Sequence, residues 1–248
     1  MARRKSLAFL DVGQGDCFVA DTKSGAIIFD GGSSSEDQVG RYRILPYMKY
    51  LGYQKIQIAV ISHMDIDHYS GIKELLERGK IKYLGLPEIP KDETMKKIIG
   101  IAKKRGTTIF YLSRGRQITT KDGSLKVLHP QKNSQMEKNA ASLVMQGKIL
   151  GYRVLLTGDV EKEGEEELLS EKLERADILK AAHHGSKNST SNEFLQKVQP
   201  KQTVISCGKQ NRYGHPHLET IHRLQTYRTK IYRTDRSGAI IFFKRRDG

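Results

Sequence analysis

The stretch that most constrains this chain runs over residues 56–68. Ile56-Gln57-Ile58-Ala59-Val60-Ile61 is rich in β-branched residues and predicts a buried strand. It passes without a break into Ser62-His63-Met64-Asp65-Ile66-Asp67-His68. Two imidazoles and two carboxylates this close together are costly as a plain surface loop. They make sense if one or two divalent cations neutralise the carboxylates and take up the imidazole lone pairs. Alternating side chains can then serve two sides, His63 and Asp65 on one, Asp67 and His68 on the other. The bland alternative is a capped helix start with Asp67 at the N-cap, and it accounts for one residue of the four.

The same grammar, an apolar strand ending in a ligand-type residue, recurs three times. Asp30 follows Ile27-Ile28-Phe29, Asp159 follows Leu155-Leu156-Thr157-Gly158, and His183-His184 follow Ile178-Leu179-Lys180-Ala181-Ala182. Such placement is what a rigid scaffold with functional loops produces. Apolar runs predict further strands at 7–10, 17–20, 26–29, 81–86, 107–112, 125–129, 142–146, 153–157, 178–182, 203–207, 230–232 and 239–243. Helical spacing predicts helices at 39–52, 71–78, 94–105, 163–173, 194–198 and 217–227, and 131–138 reads as a polar loop. Strands alternating with helices, with meanders in both halves, fit an α/β chain of two sheets covered on their outer sides by helices. There is no long linker or repeat, so residues 1–248 are expected to form a single domain.

Composition narrows the chemistry. The chain has 43 Lys and Arg against 28 Asp and Glu, a formal net charge of +15. That surplus points to a polyanionic partner, nucleic acid or an anionic membrane surface, or else to a well-solvated surface. Cys17 and Cys207 are the only cysteines, too few for a thiolate knuckle or a disulfide framework, so any metal must be held by His and carboxylate. No run reaches the ~18 apolar residues of a spanning helix. The basic start Met1-Ala2-Arg3-Arg4-Lys5 leads into an apolar run cut short by Asp11, so no signal peptide is expected and the chain as given reads as soluble.

His63-x-Asp65-x-Asp67-His68 resembles the H-x-[HD]-x-D-H motif of the metallo-β-lactamase fold, and Thr157-Gly158-Asp159 resembles its bridging aspartate. Five ordered motifs are similar to the C-terminal domain of ComEC-type competence proteins. They are Asp11-Val12-Gly13-Gln14-Gly15-Asp16, the Ser62 to His68 motif, Leu155-Leu156-Thr157-Gly158-Asp159, Leu179-Lys180-Ala181-Ala182-His183-His184-Gly185-Ser186 and Tyr213-Gly214-His215-Pro216. The likeness spans about 7–243.

The resemblance implies a four-layer αβ/βα sandwich with the metal site at one edge. In it His63 and Asp65 would ligate one divalent ion, Asp67 and His68 the other, with Asp159 bridging. One histidine of the His183-His184 pair would complete the second site; His183 is preferred and His184 is the alternative. Asp30 would support the motif loop. Most relatives in the superfamily carry a further histidine before the strand that leads to the bridging aspartate. Here Glu137-Lys138-Asn139-Ala140-Ala141-Ser142 holds none, and His129 lies too early. The first metal would then be weakly held, or take another ligand such as Asn139.

Two cations a few Å apart lower the pKa of a water between them and stabilise charge on phosphoryl oxygens. Asp67 and Asp159 would position that water. His215 would protonate the leaving oxygen, its ordinary pKa suiting the task, although Gly214-His215-Pro216 also reads as a rigid turn. The oxygen-rich ligands favour Mn²⁺, with Zn²⁺ the alternative. Lys180, Ser186, Asn211 and Tyr213 are candidate substrate contacts, Lys180 having a buried structural ion pair as its other reading. Asp11, Gln14 and Asp16 would fix the first turn near the site.

The expected activity is a metal-dependent phosphodiesterase, a nuclease without sequence preference that degrades the non-imported strand during DNA uptake. Arg41, Arg43, Lys49, Lys187, Lys209 and Arg212 would grip single- or double-stranded DNA. A membrane DNA-uptake channel is the expected partner, with the domain monomeric in isolation. It would lie outside the cytoplasmic membrane as part of a membrane protein, or in the cytoplasm if free-standing. Two other readings use the same residues: a DNA-binding module with a degraded metal site, and a metallo-hydrolase of a small ester.

Overall fold

The structure is a computed structural model that describes residues 4–136 and 138–244. Met1, Ala2 and Arg3 of the basic start, and Glu137 in the segment without a third-motif histidine, lie outside the described residues.

Two seven-stranded sheets form the centre. The first is built from β1 (Ser6–Phe9), β2 (Phe18–Thr22), β3 (Gly25–Phe29), β4 (Ile56–Val60), β5 (Ile81–Pro87), β6 (Thr108–Leu112) and the last strand, β14 (Ile240–Phe243), which pairs with β1. The second holds β7 (Gln117–Thr120), β8 (Gly123–His129), β9 (Val144–Ile149), β10 (Tyr152–Leu156), β11 (Ile178–Lys180), β12 (Gln202–Ile205) and β13 (Lys230–Arg233). Each sheet is antiparallel in its meander and parallel where helices intervene: β3 to β6 in one, β10 to β13 in the other. Parallel neighbours need a crossover, and the intervening helices supply it.

Three apolar layers account for the packing. Inward side chains Leu7, Phe9, Phe18, Ile27 and Phe29 of the first sheet meet Val127, Met145, Val154, Leu156 and Val204 of the second. The outer face of the first sheet is covered by α1 (Leu45–Tyr50), α2 (Ile66–Glu77) and α3 (Glu93–Lys104), through Met48, Ile72, Leu75 and Ile98. The outer face of the second is covered by α4 (Lys162–Leu169), α5 (Asn192–Val198) and α6 (Leu218–Thr226), through Leu168, Phe194, Val198 and Leu224. Helix, sheet, sheet, helix is the expected four-layer sandwich. Each fully buried side chain of this size contributes about 1.5–3 kcal/mol.

Most element boundaries shift by a residue or two. Four differences stand out. The segment read as one helix over 39–52 opens as a π-helical stretch, Gly40–Ile44, before α1. Strand β7 escaped notice because Gln117-Ile118-Thr119-Thr120 buries one residue, and α7 (Thr234–Ser237) is a single turn. Helix α2 starts at Ile66, not at residue 71. Asp67 and His68 therefore sit in its first turn, and Asp65 is the N-cap residue, although its carboxylate does not cap the helix. The helix start and the clustered ligand-type residues are thus the same feature.

Candidate metal centre

The chemistry-bearing residues collect where the parallel strands of both sheets end. The turn after β1 brings Gln14 and Asp16, the end of β3 brings Asp30, and the end of β4 brings Ser62 and the motif. From the second sheet come Asp159 after β10, Lys180 at the end of β11 and the His183-His184 turn beyond it. The sheets are tied together here: Leu143 N–H donates to Ser62 O, and Ser206 Oγ donates to Gly15 O at 2.8 Å.

Two glycines allow this convergence. A Cβ on Gly32 would lie 2.6 Å from Asp67 C, His68 N and Ile66 O, so only glycine lets the β3 turn pass under the first turn of α2. Gly158 has φ of +52° and packs against Ser62 and Ser142, turning the chain sharply into Asp159.

Three buried imidazoles share one arrangement. His68 Nδ1 is 3.0 Å from Asp30 Oδ2, His184 Nδ1 is 2.9 Å from Ser206 O, and His63 Nδ1 is 3.0 Å from Ser62 Oγ. A carbonyl or carboxylate beside Nδ1 requires a proton there, which leaves the Nε2 lone pair of His68 and His184 for another partner. The Nε2 atoms of all three are buried and lack a hydrogen-bond partner. They converge on carboxylates. Nε2 of His68 is 3.1 Å from Asp159 Oδ2, and Nε2 of His184 is 3.3 Å from both Asp67 Oδ2 and Asp159 Oδ2. Nε2 of His63 is 3.8 Å from Asp65 Oδ2. Ligand atoms of His63, His68 and Asp159 lie within 4.8 Å of one another, as do those of Asp67, His68 and His184. Imidazoles anchored at one nitrogen and facing carboxylates with the other are how divalent cations are held, so these groups fit a pair of them.

Charge agrees with that fit. Burial works against a charged Asp159, yet His184, His68 and Lys180 hold its carboxyl well below the usual range. Asp67 is lowered too, burial being outweighed first by His184, whose Nε2 stands 3.3 Å from Asp67 Oδ2, and then by His68. Burial favours neutral imidazole at His68 and His184, but Asp159 first, then Asp30 or Asp16, raise both well above their ordinary value. The cluster thus demands positive charge at its centre, from protons or from cations. His63, buried and next to His68, is pushed down to about 3 and offers a free lone pair at neutral pH.

The adjacent histidines part company. Both have left-handed backbones, His183 at φ 47° and His184 at φ 52°, a conformation costly for non-glycine residues. The twist sends His184 to the centre and His183 to the rim. Nδ1 of His183 is held 2.8 Å from Glu161 Oε1, and its Nε2 stands 3.8 Å from Asp159. The geometry therefore favours His184 over the preferred His183, a choice two neighbouring identical residues could not reveal. Glu161 was missed; its only signal is its place two residues after Asp159.

Several expected substrate contacts turn inward instead. Lys180 is buried, makes an ion pair with Asp16, and donates to Gly158 O at 2.9 Å. Its structural reading is the one the geometry favours. Burial would raise the pKa of Asp16, but Lys180, then His184 and His68, hold it at about 2. Ser186 is buried, and its hydroxyl accepts from Asn188 N–H at 3.3 Å. Asn211 spends its amide on Gly208 O and His215 O and accepts from His215 N–H, which makes it the brace of the His215 loop. Asp11 Oδ1 accepts from Gly13 N–H, closing the first turn, and Gln14 Oε1 accepts from Gly208 N–H.

Asp30 lies under the motif loop: Oδ1 takes Ser62 N–H at 2.7 Å and Oδ2 is 3.0 Å from His68 Nδ1. Asn139 Oδ1 is buried without a hydrogen-bond partner, three residues before Ser142, whose hydroxyl accepts from Asp159 N–H. His129 is committed elsewhere, between Ala140 O and Glu167.

A pocket of about 130 Å³ opens over the cluster, lined by Gln14, Asp65, Asp67, Asp159, His183, His184, Tyr213 and His215. Tyr213, 42% exposed, stacks on His215 with ring centroids 5.6 Å apart, and the Arg212 guanidinium lies 4.8 Å from the Tyr213 ring centre. Burial, then His184 and His183, depress His215 to about 4, so it is neutral at pH 7. Arg41, Arg43, Lys49, Lys187, Lys209 and Arg212 are all exposed.

A four-layer sandwich with a His/Asp cluster at the strand ends defines a class of metal-binding folds. The chain belongs to the metallo-β-lactamase superfamily, whose family description matches residues 10–209. It is 37% identical over 259 aligned residues to ComE operon protein 3 of Bacillus subtilis, covering 96% of this chain and 33% of that protein. It is 30% identical to competence protein ComA of Neisseria gonorrhoeae, covering 96% of this chain and 32% of the relative. The chain thus spans about a third of the length of these relatives. Among solved structures, the metallo-β-lactamase fold protein YhfI from Bacillus subtilis superposes with a TM-score of 0.63 at 13% identity, over 95% of this chain and 99% of that one. No helix among the described residues is long and apolar enough to cross a membrane.

Proposed function

We propose that this chain is a metal-dependent phosphodiesterase that cuts DNA without sequence preference and degrades the strand that is not imported during DNA uptake for transformation. The observation that carries the hydrolase reading is the convergence of two anchored imidazoles, His68 and His184, on Asp67 and Asp159, with His63 grouped beside them. His63, Asp65 and Asp159 would hold one cation, and Asp67, His68, His184 and Asp159 the other, with Asn139 available to the first. Bound divalent cations lower the pKa of water and offset charge on a phosphoryl group. The carboxylate oxygens lean toward Mn²⁺, the cation proposed, and the imidazoles make Zn²⁺ the alternative.

The chain's own groups supply the rest. Asp30, Ser62 and Ser206 fix the imidazole orientations. Lys180 compensates the buried charge of Asp16 and so stiffens the floor. His215, neutral and braced by Asn211, is a hydrogen-bonding group for a leaving oxygen rather than a stored proton. Tyr213 and Arg212 form an aromatic and cationic lip, of the kind that meets bases and phosphates.

DNA as substrate is supported by the competence proteins to which the chain is similar and by the net charge of +15. The fraction of those relatives that the chain spans fits a domain that works beside a membrane DNA channel, on the outer side of the cytoplasmic membrane. Cleavage of single-stranded and duplex DNA, followed with Mn²⁺, with Zn²⁺ and with chelator, tests this. Metal-dependent cleavage supports the reading; DNA binding with no cleavage in any metal would make the chain a binding module.

A further inference from the structure

We infer that a second concavity, beside the metal centre, is a nucleobase subsite holding the base next to the phosphodiester bond that is cut. The inference rests on the phosphodiesterase reading above and adds where the non-phosphate part of the substrate sits. The groove has a volume of about 570 Å³ and includes His63 and Asp65 in its wall, a size suited to a small-molecule site. Asp65 also lines the pocket that holds Asp67, Asp159 and His184. The two cavities therefore meet at one side chain of the metal centre, and a substrate lying in both would place its phosphate there.

The groove differs in chemistry from the metal pocket. Five of the residues that line it are apolar, Met64, Ile89, Pro90, Met95 and Met136, and Thr94, Ser134 and Gln135 are uncharged. Met95 is buried, and Met64 and Ile89 pack against the helix-covered core of the first sheet, so this surface is backed by fixed packing. The carboxylate of Asp92 is committed to capping α3, accepting Met95 N–H at 2.7 Å.

Of the parts of a nucleotide, phosphate needs cations and sugar needs hydroxyl partners. The base alone offers a flat, weakly polar face. Thioethers and a proline ring contact such a face without discriminating among bases. Gln135, exposed, donates Nε2 to Asn133 O at 3.0 Å and keeps its Oε1 for a base edge. A base held there has left its complementary strand, so unpaired DNA is the favoured substrate.

The test uses the full chain with Mn²⁺ and a short single-stranded oligonucleotide in which one phosphodiester is cleavable. The base beside that bond is kept in one substrate and removed in a second, abasic one. The expected result is a KM roughly tenfold higher for the abasic substrate with kcat little changed, the size expected for losing one modest apolar contact. Ile89→Asp should raise KM for the base-bearing substrate and leave the abasic one unaffected; exposed Pro90→Asp gives the same comparison if the first variant does not fold. Equal KM values for the two substrates in the unaltered protein would overturn the subsite while leaving the phosphodiesterase intact. If neither substrate is cut with Mn²⁺ or Zn²⁺, both readings fall together.

Discussion

Nε2 of His184 lies 3.3 Å from Asp159 Oδ2, while the ring of its neighbour His183 is held at the rim by Glu161. This contact helps join the turn after β10 to the turn after β11 and closes the second half of the cluster. His184→Ala should therefore weaken Mn²⁺ or Zn²⁺ binding by more than roughly 100-fold, and His183→Ala by less than roughly 10-fold. Calorimetric titration of each variant with either cation checks the split. Equal losses would mean that both rings reach a cation.

The orientation of His68 depends on Asp30. With both its oxygens engaged, by Ser62 N–H and by His68, Asp30 needs no contact with a cation to matter. Asp30→Asn should lower cation affinity by roughly 10–100-fold while the protein stays folded by circular dichroism.

Lys180 and Asp16 form a buried pair, and removing one partner strands the other. Lys180→Met should cost roughly 3–5 kcal/mol in urea denaturation, because an unpaired buried carboxylate remains. The pair also sets a pH dependence. Asp16 is held at about 2, below its ordinary 3.8. A carboxyl lowered by folding contributes stability that is present above the ordinary value and is lost as pH falls from there toward about 2. In Lys180→Met this acid-side loss should shrink. An unchanged acid midpoint would contradict the role given to the pair.

Much of the centre was legible before any coordinates. Apolar strands ending in Asp or His mark the ends of parallel strands, and residues 62–68 carry four groups of a kind that resist one another without cations. The four layers follow from strand and helix alternation. What stayed hidden depends on backbone twist and on tertiary burial. His183 and His184 are identical in type, and only their left-handed φ values separate them. Lys180 ends a strand and reads equally as phosphate contact or ion pair until its partner Asp16, from the other sheet, is seen. Asn211 and Ser186 look like substrate contacts because polar residues near a motif do, yet both close local turns. The start of α2 was misplaced because its first turn carries ligand-type residues where a helix would ordinarily show its apolar face.

Gly32 passes beneath the first turn of α2. Gly32→Ala puts a methyl group 2.6 Å from Asp67 C and His68 N, so something must move. We expect a loss of about 1–3 kcal/mol from overpacking, together with weaker cation binding, since the displaced turn carries Asp67 and His68. Thermal melting and cation titration on the same sample measure both. A variant that melts lower yet binds cations normally would show that the turn adjusts without disturbing the ligands.

Grip on DNA, if it comes from the exposed lysines and arginines, releases counterions. Binding to a catalytically silenced variant should weaken linearly in log K against log salt, with a slope of roughly −0.7 to −0.9 per phosphate neutralised, and should not depend on base sequence. A flat salt response would exclude a mainly electrostatic grip.

Asp159 is the residue on which the whole account turns, because the imidazoles of His68 and His184 both point at it. The most direct measurement is metal content by elemental analysis paired with Mn²⁺-dependent DNA cleavage, for the unaltered protein and for Asp159→Asn side by side. The account predicts that the unaltered protein retains divalent metal and cuts DNA until chelator is added. The variant should lose most of its metal and cut at least about 100-fold more slowly, the scale of a lost key electrostatic group. A variant that keeps its metal and cuts as fast as the parent would contradict it.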